Sequence, residues 1–154
     1  MNDQRPGFIS EPDEENPGWL RWRLSNTSLY NGAVLGKMIA RAEGKNHCRV
    51  RIFPQQPHYI NNGGNIHGGI TLGLIDVALF ATMQHLRGVE AAGSVTIGIN
   101  TQFIGAGNPA KPLDAVVEVL RETRRLGFLR GLVEQDDALV ASFSATIRKP
   151  TSRA

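Results

Sequence analysis

Two periodicities divide the chain. Residues 37–43 and 46–53 read as short strands separated by Gly44-Lys45, a turn signal. In the second run Cys48, Val50 and Ile52 face one way and Arg49 and Arg51 the other, the period of two expected of a half-buried strand. Pro54 and Pro57 then break the pattern. Residues 59–69 hold four glycines and three asparagines, which makes a permissive loop. Residues 70–83 are apolar nearly all round and too long for one ordinary strand, so the length predicts a buried helix, ended by Arg87-Gly88. Further strands are expected at residues 94–103, 114–121, 126–134 and 139–147, with loops at 105–112 and 135–138. Short connections between successive strands favour antiparallel pairing. The expected fold class is α+β: an antiparallel sheet of about five to six strands wrapped around one long central helix, which satisfies both burial demands at once.

The N-terminal part has a different texture. Residues 1–18 are polar and carry Pro6, Pro12 and Pro17, the composition of a flexible or loosely docked arm. Trp19 and Trp22 follow, and two large aromatics should want burial. The expected organisation is therefore an arm and packing segment over residues 1–36 and a single domain over residues 37–154. A chain of 154 residues, 41% hydrophobic, suits one core. No stretch reads as long and apolar enough to cross a membrane, and the acidic, polar N-terminus lacks a secretory pattern, so the expectation is a cytoplasmic protein with no membrane partner. The single cysteine, Cys48, excludes an internal disulfide framework and a cysteine-rich zinc site; placed in a strand, it reads as a small core residue. No metal is expected, because no His/Cys cluster has zinc spacing. The formal charge of +3 and the pI near 9.4 lean basic, which suits a solvated surface, a phosphate-bearing ligand or nucleic acid. Arg121, Arg124, Arg125, Arg130, Arg148, Lys149 and Arg153 supply charge, but no nucleic-acid motif accompanies them, and none is expected to bind there.

The candidate chemistry lies around the predicted helix. Asp76 sits inside the apolar run, where a carboxylate is costly to bury and a poor helix former; kept ionised, it would be a ready general base. A structural Asp held by hydroxyl or backbone donors is the plainer reading. Gly68-Gly69 stand where the helix starts, and free N–H groups at a helix N-terminus, with glycines that let a ligand approach, could form an oxyanion hole or simply a tight turn. Asn61 could donate its amide to the same carbonyl, or shape the loop. His67 could act as acid or base, or bond its own backbone. Ser94 and Thr96 open the next strand, and either hydroxyl could hold a water or line the polar face.

Taken together, Asn61-x-x-Gly64-x-x-His67-Gly68-Gly69-x-x-x-x-Leu74-x-Asp76-x-Ala78 resembles the signature of the hotdog-fold thioesterases of the phenylacetyl-CoA thioesterase (PaaI-like) group. Ser94-Val95-Thr96-Ile97-x-Ile99-Asn100-x-x-Phe103, then Arg121-x-x-Arg124-x-Leu126-x-Phe128 and Leu139-Val140-Ala141, are similar to later segments of that family, so the likeness spans residues 37–149. The resemblance implies a hotdog fold and an acyl-CoA thioesterase, with coenzyme A as part of the substrate and no separate cofactor. It implies that Asn61 and the Gly68 N–H polarise the thioester carbonyl and that Asp76 activates water or attacks directly. It places Ser94 as a hydroxyl that orients the water, makes His67 mainly structural, and puts Arg121 and Arg124 on coenzyme A; His67, Gly69 and Thr96 complete the candidate substrate contacts. Three positions depart from the pattern. Tyr59 and His58 stand where a histidine two places before the asparagine is usual, Phe103-Ile104-Gly105-Ala106 replaces an aromatic-x-Arg-Pro run, and Leu113 stands where glycine is common.

Helix geometry adds a constraint of its own. Gly68 and Asp76 are eight residues apart, about 12 Å along a helix. An aspartate is too short to bridge that gap to a water attacking at Gly68. The expected working unit is therefore a homo-oligomer, a dimer or a dimer of dimers, in which Asp76 of one subunit faces Gly68 of the other. A non-catalytic acyl-CoA-binding protein and a hotdog hydratase or dehydratase share the fold. The latter usually need a histidine and carboxylate at spacings not found here.

Overall fold

The computed structural model of the chain describes residues 7–136 and 138–151. Among the described residues eight strands form one antiparallel sheet: β1 (Phe8–Pro12), β2 (Leu20–Leu24), β3 (Met38–Ala42), β4 (His47–Ile52), β5 (Val95–Phe103), β6 (Leu113–Glu122), β7 (Leu126–Gln135) and β8 (Ala138–Arg148). Their order across the sheet is β1-β2-β3-β4-β6-β7-β8-β5. One helix, α1 (Gly68–Arg87), packs against β3 through β8. The hotdog architecture expected from the sequence is present, with two strands more than expected.

The period-two reading of β4 holds to the residue. Cys48, Val50 and Ile52 are fully buried against α1, opposite Val117, Ala115 and Leu113 of β6. Burial pushes the Cys48 thiol up to about 11, so it stays protonated and inert at neutral pH, as a core residue should. On the outer face Arg49 and Arg51 converge on the buried carboxylate of Asp114 at 2.9 and 2.7 Å, and Arg49 also meets Glu43 and Glu134. Pairing and hydrogen bonding are what let that carboxylate stay inside.

Helix α1 starts two residues before the predicted run and ends where expected. Gly88 takes φ 63° as its C-cap and donates to the carbonyls of Gln84 and Met83. By length and composition α1 could cross a membrane, contrary to the sequence reading. Here it is the core helix: Ile70, Leu74, Ile75, Val77, Ala78, Leu79, Ala81 and Met83 are buried.

The two additional strands correct the reading of the N-terminal part. Residues 7–36 are not a separate arm. β1 pairs along its whole length with β2, and β2 pairs with β3, so this hairpin extends the domain's own sheet. Trp22 is buried beneath the stacked Phe8 ring, and its indole N–H donates to Gln84 Oε1 of α1 at 3.1 Å. Trp19 lies under the guanidinium groups of Arg41 and Arg51, 4.4 and 4.8 Å from its ring centre. At the hairpin turn Asp13 is buried and bonded to Lys37 and Asn16, which hold its carboxyl below the ordinary range. Trp22→Ala should therefore lower the unfolding free energy by about 3–5 kcal/mol, as loss of a buried aromatic does elsewhere. Urea unfolding measures it. A loss below about 1 kcal/mol would mean that the hairpin docks only loosely.

Candidate active site

The loop before α1 is built by its own polar groups. Ile60 and Ile66 pair across it, and Ile66 is held by the Gly107 carbonyl at 2.8 Å. Asn61 shapes the turn: its Oδ1 accepts from the N–H of Gly63 at 2.9 Å and of Asn65 at 3.1 Å. Those bonds fix which way the amide points, and its Nδ2 has no acceptor among the described residues. The structural and catalytic readings of Asn61 are thus compatible, one for each end of the amide. Tyr59, in the place where the family tends to have histidine, is buried and donates to the Leu35 carbonyl at 2.6 Å.

His67 is the N-cap of α1. Its Nδ1 accepts from the Gly69 N–H at 2.9 Å, which assigns the ring proton to Nε2, and its carbonyl receives the N–H groups of Ile70 and Thr71. Three of the four N–H groups at the start of the helix are consumed in this way. The fourth, on Gly68, has no acceptor among the described residues. Of the two glycines expected to touch substrate, Gly68 keeps a free donor at the positive end of the helix dipole, while Gly69 spends its donor on the cap. The Phe103 ring covers Gly68, 3.3 Å from where a Cβ would stand.

Asp76 is half-buried on the outward side of α1 rather than in the core, along the stripe that exposes Gly69 and Leu72. The hydroxyl that reaches it belongs to Thr96, not Ser94: Thr96 Oγ1 donates to Asp76 Oδ1 at 2.6 Å. Ser94 precedes β5, in the turn that follows Gly93 (φ 84°), and gives its hydroxyl back to the Glu90 carbonyl at 2.7 Å. Thr96, and not Ser94, is thus the hydroxyl beside Asp76 in this chain. Thr96→Val should lower kcat about tenfold, the scale of one hydrogen bond to a charged group, with KM little changed. Steady-state thiol release measures both, and an unaltered kcat would leave Thr96 without an orienting role.

Strand β5 runs antiparallel to the helix beside it, touching Asp76 at one end through Thr96 and Gly68 at the other through Phe103. Gly68 and Asp76 lie eight residues apart in one unbroken helix, so within a single chain the donor and the carboxylate remain about 12 Å apart.

The family assignment rests on direct comparison. The chain matches the family described as the acyl-CoA thioesterase N-terminal domain over residues 56–148, more than half its length. It belongs to that thioesterase family and has the hotdog fold. A Pseudomonas aeruginosa protein, named an esterase by inference, is 27% identical over 117 residues, 76% of this chain and 86% of that protein. A solved conserved protein from the same organism is 26% identical with a TM-score of 0.66, covering 79% of this chain and 94% of that one. The Escherichia coli PaaI protein from the phenylacetic acid degradation operon shares the fold, with TM-score 0.66 at 17% identity over 78% of this chain and 83% of its own.

For this hotdog domain the basic positions need redistribution. Arg124 lines an open groove of ≈ 840 Å³ at the C-terminal end of α1, together with Arg125, Arg148, Lys149 and residues of the 88–93 turn. Lys149 pairs with Glu122 at 3.2 Å; Arg124, Arg125 and Arg148 have no acidic partner among the described residues. Arg121 is exposed near the end of β6, outside this groove. Sequence reasoning missed Phe103 and Tyr30 as neighbours of the helix. Phe103 read as a strand end and a position of the family-like segment, without a link to Gly68, and Tyr30 lies in a segment whose role nothing in the pattern disclosed.

Proposed function

We propose that this protein hydrolyses acyl-coenzyme A thioesters as a homodimer with two equivalent sites. The observation that carries the reading is the pairing, on one helix, of a free Gly68 N–H with a Thr96-held Asp76 too far along to share its substrate. Two copies with antiparallel helices would bring Asp76 of each to Gly68 of the other. The free edge of β5 suits such an assembly. It is a nine-residue strand at the end of the sheet, flanked by exposed Val95, Ile97, Phe103 and Ile104, and an unpaired edge of that length is a template for another strand.

In the proposed site the thioester carbonyl accepts from the Gly68 N–H and from Asn61 Nδ2. Asp76 of the partner subunit takes a proton from water, which adds to the carbonyl carbon. The charge that develops on oxygen is held by donors already in place. Collapse breaks the C–S bond, and the thiolate takes up the proton that Asp76 carried, leaving a carboxylic acid and coenzyme A. The phosphates of coenzyme A suit the groove of Arg124, Arg125 and Arg148 on the Asp76 side. No separate cofactor enters the scheme. The function is tested by thiol release from a panel of aryl, short-chain and long-chain acyl-CoAs. Turnover of at least one far above background is expected, and hydrolysis of none would refute the assignment.

A further inference from the structure

Tyr30 stands on the catalytic face of α1 and belongs to no role described so far. Its hydroxyl lies directly over Gly73, with ring carbon Cζ 3.2 Å from where a Cβ would stand; any side chain at position 73 would meet the phenol. Gly73 is one turn from Asp76, and residues three apart on a helix share a face. The residue is 48% exposed, so it is available to a ligand, and its hydroxyl has no hydrogen-bond partner among the described residues. The helical turn that follows it, Asn31–Leu35, is anchored to the Asn61 loop: the Leu35 carbonyl accepts from Tyr59, and the Val34 carbonyl lies 3.1 Å from His58 Nε2. The segment that follows Tyr30 is thus tied to the Asn61 loop, and the Tyr30 ring rests against the helix at Gly73.

Its position relative to Asp76 indicates which part of a substrate it would meet. Toward the C-terminus of α1, Asp76 is followed by Thr96 and then the basic groove at residues 88–93, 124, 125 and 148. Toward the N-terminus it is followed by Gly73 with Tyr30 on it, and by exposed Leu72. The two arms of a thioester leave the carbonyl in roughly opposite directions. With the phosphate-bearing arm on the basic side, the acyl arm runs toward Tyr30. We propose that Tyr30 is the specificity-determining residue for the acyl group, its ring closing the acyl side of the site so that short or single-ring acyl groups react and long chains are excluded. This rests on the thioesterase reading above.

The test compares kcat/KM for butanoyl-, benzoyl- and dodecanoyl-CoA in the wild type, Tyr30→Ala, Tyr30→Phe and Gly73→Ala. Wild type should favour the two compact substrates. Tyr30→Ala should raise the dodecanoyl-to-butanoyl ratio about tenfold or more, the scale set by a few methylenes gaining room, chiefly through a lower KM for dodecanoyl-CoA. Gly73→Ala leaves Tyr30 intact but displaces its ring from the helix, so it should shift the ratio the same way. Since alanine favours a helix over glycine, it should do so without lowering Tm. Tyr30→Phe keeps the wall and should keep the wild-type profile. Active Tyr30→Ala and Gly73→Ala variants with an unchanged ratio would overturn the proposal. Failure of the wild type to hydrolyse any acyl-CoA would instead overturn the thioesterase reading from which it starts.

Discussion

Asp76→Asn is expected to lower kcat by roughly 10²–10⁴-fold, the usual contribution of a positioned general base, while leaving a folded protein. The asparagine carbonyl still accepts from Thr96, so the side chain keeps its orientation and loses only the ability to take a proton. The site is half-buried on the outward side of α1, not in the core, so the exchange removes no packing on which the fold depends. Thiol release gives the rate, and thermal unfolding shows whether the chain is intact. A folded Asp76→Asn protein with near-wild-type kcat would remove Asp76 from the mechanism.

Gly68→Pro is the second large effect, and it isolates one N–H. Proline is well tolerated at the first position of a helix, where its missing donor would otherwise be unpaired. The preceding residue, His67, already has the extended backbone (ψ 135°) that a following proline requires. No hydrogen bond among the described residues is lost, because the Gly68 N–H makes none. The nearest obstacle is the exposed Phe103 ring, 3.3 Å from where the Cβ would stand, and it can give way. The expected outcome is a fall in kcat of about 10²–10³-fold, the cost of one oxyanion-hole donor, with Tm nearly unchanged. Gly68→Ala, which keeps the N–H and meets the same ring, should lose much less. Equal losses in the two variants would assign the effect to crowding by Phe103 instead of to the donor.

The parts of this molecule that could be read from sequence are those in which pattern and burial coincide. β4 alternates because one face lies on α1 and the other meets Asp114 and Glu134, so its period of two survives in the sequence. α1 announces itself through fourteen residues with few polar interruptions, and the one charged interruption, Asp76, marks the candidate site. The N-terminal hairpin left no such trace. β1 and β2 are short, and Pro12, Pro17 and the acidic run between them look like loop; only the demand of Trp19 and Trp22 for burial pointed to packing. The choice between Ser94 and Thr96 depended on where β5 begins, a boundary one residue later than the pattern suggested. The contact of Tyr30 with Gly73 joins residues 43 positions apart, and no local periodicity encodes such a meeting.

The central claim is that each site takes its donor from one chain and its carboxylate from the other. Mixing Asp76→Ala with Gly68→Pro, after dissociation and reassociation, tests it directly. Neither variant alone has a complete site. Half of the randomly reassembled dimers would be heterodimers, each with one intact site of two, so activity should return to about a quarter of the wild-type value. A mixture that stays as inactive as its two components, with heterodimers shown to have formed, would contradict a shared site.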